Sequence, residues 1–148
     1  MRILPSVFAF SLLAAAAAEA HVTVAPREST LGSNQVYTVR VPAESGATTS
    51  QTVLEIPDGV VVSRVKAGGG FKFDVKREDD RIVQITWTMD VHPGSYAEFQ
   101  FIARNPEEGT ELTWKALALH PDGTSTDWVN PRGEPRPASV TSLVAAAG

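Results

Sequence analysis

The sequence predicts an all-β protein: a single-domain antiparallel Greek-key β-sandwich of about nine strands behind a cleaved leader. Three observations lead there. Apolar and polar residues alternate with period two in short segments, turn-forming clusters separate those segments, and no long window carries helical periodicity.

The elements follow in chain order. Met1-Arg2 is a short positive start, residues 3–18 are mostly apolar, and Ala18-Glu19-Ala20 offers a small-residue exit. That is the grammar of a secretory signal peptide, and the run is shorter than the roughly 20 residues a spanning helix needs. Cleavage after Ala20 would leave a mature domain of residues 21–148 that starts at His21. Within it, Tyr37, Val39 and Val41 share one face of segment 35–41, and Thr52, Leu54 and Ile56 one face of 52–56. Val83, Ile85 and Trp87 do the same in 82–87, Phe99, Phe101 and Ala103 in 99–103, and Leu112, Trp114, Ala116 and Ala118 in 112–118. Shorter candidates are 22–25, 60–65, 71–75 and 139–144. Turn chemistry at Pro57-Asp58-Gly59, Gly68-Gly69-Gly70, His92-Pro93-Gly94 and Pro121-Asp122-Gly123 punctuates the run. Short strands at this spacing fit a sandwich of the immunoglobulin or cupredoxin kind. Segment 130–137, with three prolines and a glycine, is the longest irregular stretch.

Composition narrows the function. The 148 residues carry a net charge of −4 and no Lys/Arg cluster, which argues against a duplex nucleic-acid binder. With no cysteine there is no disulfide framework, thiolate metal site or thiol nucleophile. No nucleophile elbow, phosphate-cradling loop or H-E-x-x-H motif occurs. No second apolar run is long enough to anchor the product in a membrane, so the expected location is the periplasm or the cell exterior.

Three histidines remain: His21, His92 and His120. His92 and His120 precede prolines in turns, where a solvated loop residue is expected. His21 differs because cleavage would give it a free α-amine beside its imidazole. The amine nitrogen and Nδ1 can close a chelate ring, a ligand pair that suits Cu(II). Cu(I) prefers thiolate or thioether ligands, and the mature chain offers only Met89. On these residues alone, an incidental terminal histidine stands beside the metal reading.

The segment His21-Val22-Thr23-Val24-Ala25-Pro26-Arg27-Glu28-Ser29 resembles the start of the mature YcnI-type copper-binding domain family. The resemblance continues through Tyr37-Thr38-Val39-Arg40-Val41-Pro42, Ile85-Thr86-Trp87, Asn105-Pro106-Glu107-Glu108, Thr113-Trp114-Lys115-Ala116, Asp127-Trp128 and Pro137-Ala138-Ser139-Val140. It implies one Cu(II) per chain in a single-histidine brace. Its ligands would be the amine and imidazole of His21 and the carboxylate of Glu28, with Trp128 packed over the metal. An indole face can sit against a cation. Trp128 falls in the polar segment 124–133 and is expected outside the core, as an exposed loop residue, whereas Trp87 and Trp114 are expected inside. Glu28 also reads as a solvated turn carboxylate. Seven residues separate it from His21, over ~20 Å if extended, so the chain must fold back near Pro26-Arg27. Relatives often have glycine where Val129-Asn130-Pro131 stands, and an acid where Gln35 stands.

The resemblance implies a protein that is not an enzyme and that binds, buffers or delivers copper, with a copper importer or copper chaperone as partner. A polysaccharide-cleaving copper oxidase or a CopC-like two-histidine carrier would need His92 or His120 as a second ligand. A metal-free sandwich that binds a protein or glycan is the remaining reading.

Overall fold

The computed structural model describes residues 21–43 and 46–147; the expected leader and its cleavage boundary lie outside them. The described residues form twelve strands and no helix. In chain order these are β1 (Thr23–Ala25), β2 (Glu28–Thr30), β3 (Asn34–Pro42), β4 (Thr49–Glu55), β5 (Val61–Val65) and β6 (Lys72–Glu78). Then follow β7 (Arg81–Val91), β8 (Tyr96–Arg104), β9 (Glu111–Trp114), β10 (Ala116–Leu119), β11 (Ser125–Trp128) and β12 (Ser139–Val144). They pair into sheets ordered β1-β3-β8-β5, β11-β10-β4-β7-β6 and β2-β12-β9.

The period-two reading accounts for the long strands. Tyr37, Val39 and Val41 are buried in β3, while Val36 and Arg40 face outward. β8 opposes it in antiparallel register, Val39 to Phe99 and Tyr37 to Phe101. The sheets meet through aromatic rings. Trp87 of β7 stacks on Phe99 at 5.1 Å, and Trp114 of β9 tilts against Tyr37 at 4.8 Å. Such pairs add about 0.5–1.5 kcal/mol beyond their area burial.

The structure departs from the sequence expectation in four places. The 112–118 run is two strands: β9 joins β12, β10 joins β4, and the break falls at Lys115, whose carbonyl accepts from Glu55 N. Its alternation survives the break, since Leu112, Trp114, Ala116 and Ala118 are all buried. β2 was not expected; at three residues it is too short to show a period. It also pairs with β12 in parallel, Glu28 to Ser142, within an otherwise antiparallel set of pairs. β11 was not expected either. It lies inside a turn-rich segment, yet Thr126 and Trp128 alternate inward.

The N-terminal arm is bolted to the end of the chain. Val24 N donates to Ser139 Oγ at 2.9 Å, Thr141 Oγ1 to Pro26 O at 2.8 Å, and Ser142 N to Arg27 O at 2.8 Å. Asn105 then holds β2, because its Nδ2 donates to Ser29 Oγ at 2.7 Å and to Thr30 O at 2.8 Å. Tyr37 OH donates to the same amide's Oδ1. Net contributions of about 1 kcal/mol per bond are enough to fix so short an arm.

Candidate metal centre

The fold-back that the sequence required is present. β1 runs in the first sheet against β3, and the chain then turns through a cis Ala25–Pro26 bond and Arg27 into β2 of a different sheet. His21 and Glu28 both end beside β12. His21 is half-buried and lines a groove of about 160 Å³ with Arg27, Arg132, Ala138, Ser139 and Val140. Glu28 stands opposite Ser142, on the outward face. The groove residues Ala138, Ser139 and Val140 are therefore two to four residues from Glu28's partner Ser142, roughly 7–13 Å at ~3.3 Å per residue. Glu28 does not itself line the His21 groove.

Trp128 is not the exposed loop residue that its polar neighbours suggested. It closes β11 opposite Ala116, is 1% exposed, and belongs to the hydrophobic core. The small residues of β10 explain this, because Ala116 and Ala118 leave room for the indole that a larger neighbour would have displaced. Its Nε1 is buried without a hydrogen-bond partner among the described residues, and so is that of Trp87. Just beyond Trp128, Asn130 bridges Pro137, and Ala138 N donates to Asn130 O at 2.9 Å. That return leads into the segment lining the His21 groove.

His120 also departs from expectation. It is half-buried, with Nδ1 at 2.9 Å from Thr48 O and Nε2 at 2.8 Å from Thr126 Oγ1. A carbonyl only accepts, so Nδ1 carries the proton, and Nε2 shares a hydrogen bond with the hydroxyl. Both ring nitrogens are committed to protein groups. His92 is exposed, its Nδ1 3.4 Å from Thr48 Oγ1.

The donors fit copper in part. A chain starting at His21 would offer an amine and an imidazole there and a carboxylate at Glu28, and the arm that carries both residues is tied to β12 by hydrogen bonds. Among the described residues no three His, Asp or Glu side chains cluster as a ready-made metal cage. Sequence reasoning missed Arg27 and Arg132, which line the His21 groove, and Lys115, which lines the adjoining hollow with Arg132. The signal was the proline-rich 130–137 segment, noticed only as irregular.

The fold and the arm define an immunoglobulin-like sandwich whose functional candidate is His21, beside the first strand. The chain belongs to the family described as a domain of unknown function, DUF1775, whose model matches residues 21–143. It is 32% identical over 145 residues to the copper-binding protein CutI of Bacillus subtilis strain 168, covering 96% of this chain and 71% of that protein. A crystal structure of an uncharacterized protein from Nocardia farcinica, described as immunoglobulin-like, superposes with a TM-score of 0.74 at 27% identity, over 84% of this chain and 99% of that one. A cohesin module from a Clostridium perfringens family 33 glycoside hydrolase shares the fold at a TM-score of 0.55 and 10% identity, over 86% and 98% of the two chains.

Proposed function

We propose that the chain, once it begins at His21, binds a single Cu(II) ion and serves copper binding, buffering or delivery outside the cytoplasm. The observation that carries the reading is the start of the family match at His21, the residue that follows the Ala18-Glu19-Ala20 exit. The similarity to a copper-binding protein supports the choice of metal. In this reading the His21 amine and Nδ1 chelate the ion, the Glu28 carboxylate completes the set, and the Trp128 indole shields it. Bound copper supplies only a charge to be carried; the protein performs no reaction. The partner is a copper importer or copper chaperone. The engagement of both His120 nitrogens favours one histidine over the two-histidine oxidase or carrier arrangements.

The test compares protein that starts at His21 with protein carrying one extra alanine before it. One equivalent of Cu(II) should give an electron paramagnetic resonance spectrum with a single coupled imidazole. The extended version should bind at least about 100-fold more weakly, a loss of about 2.7 kcal/mol. Equal affinity would overturn the terminal chelate. Glu28→Gln should weaken binding and remove an oxygen ligand. Glu98→Gln is the comparison, because Glu98 is paired with Arg40 and lies outside the His21 groove. An equal loss in Glu98→Gln would remove Glu28 from the set.

A further inference from the structure

We propose that the groove running from His21 across the outward face of β12 and β9 is a binding site for carboxylates. Its ligand is an anion with two or more carboxylate groups, docked beside the copper position. The inference rests on the copper reading for its purpose and on the groove alone for its chemistry.

Two adjoining hollows make the groove. The smaller holds His21, Arg27 and Arg132. The larger, of about 570 Å³, holds Arg132, Asn130, Thr113, Lys115 and, at its far end, Glu111. Arg132, Ala138 and Val140 line both. The lining thus carries Arg27, Arg132 and Lys115 against the single carboxylate of Glu111, on a protein whose total charge is −4. Those three cations have no hydrogen bond or ion pair from their side chains among the described residues. Arg40 and Arg104, elsewhere on the surface, are paired with Glu98 and Glu107.

The register places the charges. Val140 faces Thr113, and Ser142 faces Glu111 on one side and Glu28 on the other. Carboxylates therefore bound the groove two residues along β12 from Val140, Lys115 and Arg132 sit at the strand's beginning, and Arg27 stands further along it, where Ser142 N donates to its carbonyl. A ligand carboxylate is drawn to that beginning and repelled from the other end, which fixes its direction. A guanidinium fork takes a carboxylate in a bidentate way, and an ammonium takes one as a point charge.

The loop that carries Arg132 is built to hold it still. Asn130 Nδ2 donates to Pro135 O at 2.7 Å, Glu134 N to Pro131 O at 3.2 Å, and Ala138 N to Asn130 O at 2.9 Å. Pro131, Pro135 and Pro137 restrict the backbone further, and Arg136 sits at a φ of 52°, which a non-glycine residue adopts only when its surroundings impose it. A loop this constrained lowers the ordering cost of binding. Val129, Pro131 and Val140 give the groove apolar walls, which sharpen the electrostatics within.

Carboxylates are hard oxygen ligands that Cu(II) can leave for the two nitrogens of the proposed chelate. A carboxylate site beside His21 would hold the carrier while the ion changes ligands. The carboxylates could belong to a free polycarboxylate or to an acidic segment of a protein.

The experiment uses copper-free protein starting at His21, titrated with citrate and separately with hexaglutamate at about 0.15 M salt, followed by amide NMR shifts. Shifts should centre on Arg27, Lys115 and Arg132, and Arg132→Ala with Lys115→Ala should weaken binding at least tenfold. Tighter binding of citrate assigns the site to a free polycarboxylate; tighter binding of hexaglutamate assigns it to a partner segment. Either supports the proposal. Shifts spread equally over Arg40 and Arg104, or no change in the double variant, would overturn it. Circular dichroism confirms folding of that variant, and its Cu(II) affinity without carboxylates should match the parent. Carboxylate binding in a protein that binds no Cu(II) would sink the copper reading and leave the groove standing.

Discussion

Trp114 and Trp128 mark two regions that the chain builds by opposite means. Trp114 is fully buried, tilted against Tyr37 at 4.8 Å and edge-on to Phe101 at 5.7 Å, and its Nε1 donates to Thr141 Oγ1 at 3.0 Å. That hydroxyl in turn donates to Pro26 O, so the aromatic core is tied to the N-terminal arm. Trp128 is as deeply buried but has no ring partner and no hydrogen bond for its Nε1 among the described residues. The first region is closed by satisfied polar groups. The second is filled by bulk, next to the loop that reaches His21. Burial alone therefore does not separate a core residue from a residue near a site. An orphaned indole N–H does not either, since Trp87 has one while stacked in the core.

The largest effect should come from cutting the rings away. Trp87→Ala, Trp114→Ala and Trp128→Ala should each destabilise the fold by about 3–5 kcal/mol in denaturant titration. Their equality would confirm that Trp128 is core. A cost below about 1 kcal/mol at Trp128 alone would restore it to the loop that its polar neighbours suggested.

His120→Ala should cost about 1–3 kcal/mol, because it leaves the Thr48 carbonyl and the Thr126 hydroxyl without their ring partner. The Cu(II) spectrum should not change, and His92→Ala should alter neither property. A changed nitrogen coupling in the His120 variant would move the copper ligands from the arm to the β10–β11 turn, and one in the His92 variant would move them to the β7–β8 turn.

Tyr37 sharpens the closed region. Burial raises its phenol above the usual 10.0, opposed in part by hydrogen bonds with Ser29 and Asn105. The neutral form is favoured in the folded state, so its contribution is complete below pH 10 and is lost as pH rises through the raised value. Stability should fall on the alkaline side, read as denaturant midpoint against pH. Tyr37→Phe should remove that slope and cost about 1–2 kcal/mol at neutral pH, since Asn105 Oδ1 loses its donor.

How much of this was legible in the sequence depends on what each residue needed to reveal itself. Long strands such as β3 and β8 announced their inward faces by alternation alone, whereas the seven-residue β6 is almost wholly exposed and has no buried face to announce. β12 was read from Ser139 to Val144 as the structure has it. β2 was invisible because its three residues are held by Ser142, Asn105 and the parallel pairing with β12, all far away in sequence. Trp128 misled because Thr124, Ser125 and Asp127 give its segment a polar composition, while the space it fills is made by Ala116 and Ala118. The resemblance named His21, and its place at a groove came only with the arm's attachment to β12. Glu28 was named too, but its side of β12 depends on register. Arg132 stayed hidden because a lone arginine in a proline-rich loop has no pattern of its own.

The smallest effect is the most discriminating. Trp→Phe keeps an aromatic ring, loses the pyrrole portion, and deletes the N–H. At Trp114 the deletion also breaks the bond to Thr141, so volume and hydrogen bond are lost together. At Trp128 it removes a buried donor that had no partner, which offsets part of the lost packing. Trp128→Phe should therefore cost about 0–2 kcal/mol, less than Trp114→Phe, with Trp87→Phe resembling Trp128. The copper experiment then separates Trp87 from Trp128. Adding Cu(II) to protein starting at His21 should quench part of the indole fluorescence, and Trp128→Phe should abolish most of that quenching while Trp87→Phe preserves it. If both variants quench alike, Trp128 is a packing residue, and the shielding role belongs to another group. If Trp128→Phe costs as much as Trp114→Phe, its N–H has found a partner, and the contrast between the two regions disappears.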